Sequence, residues 1–274
     1  MSQDMKLGSA DWNLWPISMD YDVTFPEFKK AGIDCIEIGI YVPSQELNSA
    51  KRNRILELAS KNKVQVTAAL FSLTPDKWPE GAFSNTKSSF LDECHYFLDA
   101  LEKMGIKYAN IWTGADLPHS SIEETQNSLE ELNDLAANFP GVVSIEYKAD
   151  TIFPDGQTLA TILSSYSHLK VLIDTGHAFA LEEDVVHLIK DLHAKNLMGA
   201  MHLGDAIAGD SDADLPCGRV HDFSEILQTL SSINYVGTAN FDLYGAAVDE
   251  AGPGPRSILD ESLNYMITAM RATA

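Results

Sequence analysis

Short apolar runs rich in β-branched residues alternate along the chain with longer stretches in which apolar positions recur every three or four residues. The first pattern predicts buried strands and the second amphipathic helices. Lys6–Ser9 reads as a weak first strand, and a short helix near Phe25–Ala31 is closed by Gly32. Asp34–Ile40 is strand two and Val64–Phe71 strand three, with a helix over Asn48–Lys61 between them. Phe90, Cys94, Phe97 and Leu101 form one helical stripe ahead of strand four, Ile106–Trp112. Ser121-x-x-Glu124 is a capping-box pattern opening a helix with the face Ile122, Leu129, Leu132 and Ala136. Strand five, Val142–Ile145, runs into Glu146, and a helix starts near Gln157. Strand six, Lys170–Ile173, precedes a helix showing Leu181, Val185, Leu188 and Leu192. Strand seven, Leu197–Met201, precedes one showing Phe223, Ile226, Leu227 and Leu230. Strand eight, Tyr235–Phe241, is followed by a helix from about Ser257 to Met270.

Eight strand–helix alternations favour a parallel sheet with helical crossovers, closed as a single (β/α)8 TIM barrel spanning residues 1–274 in one domain. The rival architecture, an open doubly wound sheet, would carry a Gly-rich phosphate turn after its first strand, and neither GxGxxG nor a Walker pattern occurs. Two long loops, Ser72–Ser84 and Gly204–Asp222, fall on the C-terminal face, where barrels of this kind place their chemistry.

Strands five to eight end in groups able to hold a cation. Glu146 follows strand five, Asp174 strand six, His202 strand seven and Asp242 strand eight, with His177 and Asp205 three residues beyond Asp174 and His202. Hard divalent cations take carboxylate oxygen, and an imidazole nitrogen adds affinity for manganese, cobalt or zinc. Each residue also has a plain reading. Glu146 could form a structural salt bridge, Asp174 could cap a turn before Thr175-Gly176, and His202 could be a satisfied core histidine. Asp205 could orient the far nitrogen of His202 or cap the following loop.

The segments Ser144-Ile145-Glu146, Leu172-Ile173-Asp174-Thr175-Gly176-His177 and Met201-His202-Leu203-Gly204-Asp205 resemble the xylose-isomerase-like TIM barrels in residues, order and spacing. That superfamily holds sugar isomerases, ketose 3-epimerases, inosose-processing enzymes and a branch of abasic-site endonucleases. The resemblance implies a divalent cation held by Glu146, Asp174, His202 and Asp242, manganese first, with magnesium, cobalt or zinc as other candidates. It implies Glu146 as ligand and base, and His177 as a substrate contact or, as in the endonuclease branch, a ligand. Asp242 departs from the pattern, since the usual residue there is Glu acting as ligand and second base. The implied activity is isomerisation or epimerisation of a small keto sugar or related polyol through an enediolate. A dehydratase or lyase on a keto sugar or inosose, with Lys148 or His177 as general acid, would use the same site, and a non-catalytic sugar-binding barrel is the bland alternative.

Other candidates for the pocket are less determined by their surroundings. Glu37 is either a substrate contact or a buried hydrogen-bond partner. Lys148, two residues after Glu146, could bind a substrate oxyanion or pair with Glu146. Trp12, Trp15, Phe71 and Trp112 fall at strand ends, where aromatic faces could stack on a sugar. Arg219 could reach substrate hydroxyls or a carboxylate, or lie exposed; His119 and His221 are polar loop residues.

Charge narrows the options. Forty acidic against 19 basic residues give a net charge of −21. Nucleic-acid binders need a basic face, so the endonuclease branch is disfavoured, and only His95 and His119 precede strand five to supply its extra ligands. No run approaches the roughly 18 apolar residues of a membrane span. Three scattered cysteines without a CxxC pair, and a start lacking a basic region followed by an apolar one, lead to the expectation of a reduced, cytoplasmic setting. The expected partner is a small sugar, without nucleic acid or membrane; self-association is left open.

Overall fold

The computed structural model describes residues 5–80, 87–114 and 122–272. In chain order its elements are β1 (Lys6–Ala10), α1 (Tyr21–Lys30), β2 (Cys35–Ile40), α2 (Pro43–Glu46), α3 (Ser49–Asn62), β3 (Gln65–Ser72), α4 (Lys87–Met104), β4 (Tyr108–Trp112) and α5 (Ile122–Ala136). They continue as β5 (Val142–Glu146), α6 (Gly156–Leu163), β6 (Leu169–Asp174), α7 (Thr175–Ala180), α8 (Val185–Ala194), β7 (Met198–Leu203), β8 (Asp205–Ile207), β9 (Asp210–Leu215), α9 (Ser224–Ser232), β10 (Thr238–Phe241), α10 (Tyr244–Val248) and α11 (Pro255–Ala272). Eight strands close in the order β1-β10-β7-β6-β5-β4-β3-β2, every neighbouring pair parallel. The architecture is a (β/α)8 TIM barrel, as the alternation predicts. No helix among the described residues is long and apolar enough to cross a membrane.

Local chemistry sets several boundaries. The Asn48 side chain accepts from the Lys51 N–H to start α3, and Lys63 at φ 56° ends it in the left-handed region. Asp155 caps α6 by accepting from Thr158 N–H. The helix expected to show Leu181, Val185, Leu188 and Leu192 begins only at Val185, and Leu181 instead caps the end of α7. Glu182 turns left-handed at φ 57°, and Asp184 caps a fresh start by accepting from His187 N–H. The last barrel strand begins at Thr238 rather than Tyr235, because Val236 is exposed and the Tyr235 hydroxyl turns back to the carbonyls of Gly199 and Thr238. The segment read as a loop over 204–222 contains an antiparallel hairpin, β8 with β9, turning at Gly209 with φ 80°. Its Asp-rich strand lacks the apolar alternation that announces a half-buried strand. Ser121 of the expected capping box and His119 lie outside the described residues.

Helices bury Phe25, Phe28, Phe97, Leu132, Leu188 and Met266 against the outside of the barrel; each such side chain stabilises the fold by roughly 1.5–3 kcal/mol. Inside, close approach demands small residues. A Cβ on Gly199 would stand 2.2 Å from Ser144 Oγ, and one on Gly8 would stand 2.2 Å from Asn240 Oδ1. Toward the C-terminal end the interior is polar: Glu37, Asn110, Asn240 and His202 are all fully buried there.

Candidate metal centre

β5, β6 and β7 carry Glu146, Asp174 and His202, and Asp242 follows β10 directly; one ligand atom from each lies within 4.8 Å of all the others. Strand register supports the grouping, since Asp174 pairs with His202 across β6 and β7. The His202 Nδ1 is the hub. It lies 3.2 Å from Glu146 Oε1, 3.5 Å from Asp242 Oδ2 and 3.7 Å from Asp174 Oδ2.

The far side of the same ring is held by Glu37. Nε2 is 3.0 Å from Glu37 Oε2, which also accepts from Asn240 Nδ2 at 2.7 Å, while Oε1 accepts from Asn110 Nδ2 at 2.7 Å. Of the two sequence readings of Glu37, the buried partner matches these bonds; with no exposure it makes no substrate contact. The far nitrogen of His202 is thus taken by Glu37 and not by Asp205. Asp205 binds the backbone N–H groups of Ala206, Val220 and His221 and the His221 ring, so it is the loop cap.

Asp174 performs both of its readings at once. Oδ1 caps α7 by accepting from His177 N–H at 2.9 Å, and Oδ2 faces the cluster. His177 Nδ1 sits 2.9 Å from the Tyr147 carbonyl; as N–H donor there, it leaves Nε2 as the ring's acceptor. Asp242 Oδ1 accepts from Trp12 Nε1 at 2.8 Å, leaving Oδ2 toward His202. Asn13 places Trp12 by bonding Phe241 O, Leu243 N and Ser9 Oγ, which ties the turn after β1 to the end of β10.

These contacts set the charge states. Burial disfavours a charged imidazole, yet Glu37 and Glu146 on either side hold His202 well above the ordinary histidine range. Burial likewise opposes an ionised Glu146, but the His202 charge and hydrogen bond, with His177 behind them, hold it below the usual range. Asp242 is pushed up to about 6 by burial, with Asp174 and Glu146 adding to the rise against His202 and Trp12. Burial opposes charge on His177 too, but Asp174 and Glu146 raise it. Three carboxylates facing one imidazole carry an excess of negative charge that a divalent cation would balance, and the mixed oxygen and nitrogen donors suit such an ion. Neutral His202 would offer Nδ1 while keeping Nε2–H on Glu37.

Above the cluster opens a cleft of about 400 Å³. Glu146, His177 and Asp242 line its floor, with Trp15, Trp112 and Lys148 among its walls. Lys148 does not pair with Glu146; its ammonium meets Asp212 on the β9 strand and lies 5.9 Å from the Trp112 ring centre. Arg219 is no part of the cleft, which corrects its expected substrate role. Its guanidinium is spent on Glu261, bonding through Nε at 2.7 Å and Nη2 at 2.8 Å on the surface. Phe71 is a core residue stacked on Phe90 at 4.8 Å, and His221 stacks on Phe179 at 3.9 Å.

Sequence reasoning missed Tyr41, Trp78, Asp212, Asp214 and Tyr244, all of which line the cleft. Asp214 accepts from Gly245 N–H at 2.8 Å and is pushed up to about 8, by burial first and by Asp242 and Asp174 next. The amides Asn110 and Asn240 were also missed, although a signal existed: each interrupts an otherwise apolar strand run.

The sequence profile of the xylose isomerase-like TIM barrels matches residues 25–268. No curated protein sequence is matched. Among solved structures, the D-allulose 3-epimerase from Methylomonas sp. is similar with a TM-score of 0.76 at 15% identity, covering 97% of this chain and 98% of that one. The IOLI protein with a bound zinc atom is similar with a TM-score of 0.71 at 15% identity, covering 98% and 99%. A sugar phosphate isomerase/epimerase from Parabacteroides distasonis is similar with a TM-score of 0.69 at 12% identity, covering 96% and 93%.

Proposed function

The chain belongs to the xylose isomerase-like TIM barrel family, and from that premise we propose that it is a divalent-metal-dependent isomerase or epimerase of a keto sugar or related polyol. The observation that carries this reading is the meeting of Glu146, Asp174, His202 and Asp242, from four strand ends, beneath an aromatic-walled cleft whose floor Glu146 and Asp242 line. Manganese is the expected ion, with magnesium, cobalt or zinc as alternatives. When bound, the cation supplies Lewis-acid polarisation of the substrate carbonyl and charge to stabilise an enediolate.

The residues divide the remaining work. Glu146, which would stay ionised beside the bound cation, takes the proton α to the carbonyl. Asp242 returns a proton on the opposite face. Trp12 fixes Asp242 Oδ1 and so directs Oδ2. His177, with Nδ1–H on the Tyr147 carbonyl, offers Nε2 to a substrate hydroxyl. Glu37 fixes the orientation and tautomer of His202.

The test is exchange of the α-proton in deuterated water by manganese-loaded protein, screened over free ketoses, inososes and keto-glycosides. Exchange should vanish with a chelator and in Glu146→Gln, whose fold should persist. Near-normal turnover in that variant would reject the assignment. Because His177 and Lys148 both line the cleft as possible acids, elimination of a β-hydroxyl is the rival outcome. It shows as loss of water and a conjugated, UV-absorbing product, whereas isomerisation conserves mass.

A further inference from the structure

The donors occupy one side of the barrel mouth, on β5, β6, β7 and the end of β10. The opposite side, from β1 to β4, is faced with rings instead: Trp12, Trp15, Tyr41, Trp78 and Trp112 line the cleft there. Trp15 is the centre of the outer group, with its ring 5.8 Å from Tyr41, 6.3 Å from Tyr244 and 6.5 Å from Trp12. Gly39 admits these rings, since a Cβ there would stand 3.1 Å from carbons of both Trp12 and Trp15. At the lip Tyr244 and Val248 remain 40% and 45% exposed, large apolar side chains left open to water beside a cleft they line.

Size and charge add two constraints. Of the 400 Å³ available, a single sugar ring with its hydroxyls fills roughly half at the packing density of organic crystals. Among the described residues, Lys148 is the one lysine or arginine lining the cleft, and Asp212 neutralises it. Segments 81–86 and 115–121 contain no lysine or arginine in their sequence. Glu146, Asp212, Asp214 and Asp242 all face the same space. Outside the donor cluster, whose cation would be offset by its own three carboxylates, a phosphate or carboxylate on the substrate would find no free lysine or arginine among the described residues to answer it.

We propose that the cleft takes an uncharged two-ring substrate, with a keto sugar at the donor cluster and a second ring, in glycosidic linkage to it, seated on Trp15, Tyr41, Tyr244 and Val248. This rests on reading the donor cluster as the proton-transfer centre. The occupant is inferred from continuity: the apolar lip is the outer wall of the space that opens on the donors, and a linked ring spans both. A disaccharide and an aryl glycoside share the required chemistry.

Two measurements on the full-length, manganese-loaded protein separate this inference from the proposed activity. Tryptophan fluorescence reads binding of probes without a keto group: glucose, glucose 6-phosphate, a glucosyl disaccharide and an aryl glucoside. α-Proton exchange reads turnover of a free ketohexose, its phosphate ester, a keto-disaccharide and an aryl keto-glycoside. The expected result is at least about tenfold tighter binding of one or both two-ring probes than of glucose, with the phosphate weakest. The same order should hold for kcat/KM, and the better two-ring compound identifies the second ring as sugar or aryl. Tyr244→Ala should narrow the two-ring preference by about three- to tenfold, with Tyr41→Leu as the second variant should Tyr244→Ala fold poorly. Equal binding of glucose and the two-ring probes overturns the inference even if ketohexose exchange is rapid. So does a preference that neither variant narrows, or a Tyr244→Ala change confined to self-association. Two-ring binding preference without exchange of any keto compound supports the outer seat and rejects the proton-transfer reading instead.

Discussion

Glu37→Gln is the substitution that best separates holding a ligand from being one. Glu37 is fully buried, and its oxygens take three N–H groups, from Asn110, Asn240 and His202. Glutamine has the same shape. Asn110 Oδ1 has no hydrogen-bond partner, so a flip of the Asn110 amide would turn that oxygen toward the new Gln NH2. The remaining Gln oxygen could still accept from Asn240 and His202. The substitution therefore removes a charge while conserving the bonds, and its stability cost should stay near 1 kcal/mol, the scale of one exchanged hydrogen bond. Metal affinity is another matter. A carboxylate behind an imidazole ligand raises its basicity, and loss of such a partner weakens binding about 10- to 100-fold, or about 1.4–2.7 kcal/mol. Glu37 also stabilises the His202 imidazolium, which competes with a cation for Nδ1. Removing it eases that competition at low pH. The affinity loss should accordingly be largest near pH 8 and shrink toward pH 6. Chelator competition with manganese at pH 6, 7 and 8 measures this. A dissociation constant within twofold of wild type at pH 8, or a loss equal at both ends of the range, would refute the account.

Three other perturbations follow from the same geometry. Asp242, Asp214 and Asp11 have raised folded-state values of about 6, 8 and 8, burial being the leading cause in each. A raised value gives stability that is present below the unfolded carboxylate range and lost as pH climbs through the folded value. The metal-free protein should therefore lose melting temperature between pH 5 and 8, and manganese should restore more of it at pH 8 than at pH 5; scanning fluorimetry showing the reverse order would contradict this. Trp12→Phe keeps the ring but removes the N–H to Asp242 Oδ1, a bond that lowers the Asp242 value. The alkaline limb of the kcat profile, where Asp242 loses the proton it returns, should move to higher pH, and an unmoved limb would exclude Asp242 from proton transfer. Gly8→Ala sets a Cβ 2.2 Å from Asn240 Oδ1 and 2.8 Å from the Cys35 carbonyl oxygen. It should cost about 1–3 kcal/mol in denaturant unfolding and, by displacing Asn240 from Glu37, weaken manganese binding as well.

The donor set was legible in the sequence because each member ends a short apolar strand, and strand ends in a parallel barrel all point to one face. Its supports were harder to read. Asn110 and Asn240 stand inside apolar runs, where a lone amide signals a buried bond but does not name its partner. The partner is 73 residues away for one and 203 for the other, a separation that only the closed topology resolves. The aromatic lip was half visible. Trp12, Trp15 and Trp112 fall at or just beyond strand ends, and Tyr41, next after Ile40 of β2, was open to the same reading; Tyr244 begins α10, and the hairpin bearing Asp212 and Asp214 has no periodic signature at all. Arg219 misled because an arginine in a loop on the catalytic face has two outlets, and the sequence does not show that Glu261 on α11 lies within 2.7 Å of it.

Barrel closure is what makes the centre possible. Glu37, Asn110 and Asn240 lie on β2, β4 and β10, the second, fourth and eighth barrel strands, a set that alternates around the cylinder and shares an interior layer. His202 reaches inward from β7 and is gripped from that layer, while its Nδ1 faces the carboxylates of β5, β6 and β10. In an open sheet with β1 at one edge and β2 at the other, those groups would stand on opposite margins and no carboxylate would reach the far nitrogen. The imidazole could then turn, or bind through either nitrogen, and a cation would meet an uncertain donor. The interior of the barrel thus serves the site as directly as its rim does. One buried carboxylate, braced by two amides, converts a flexible histidine into a donor of fixed direction.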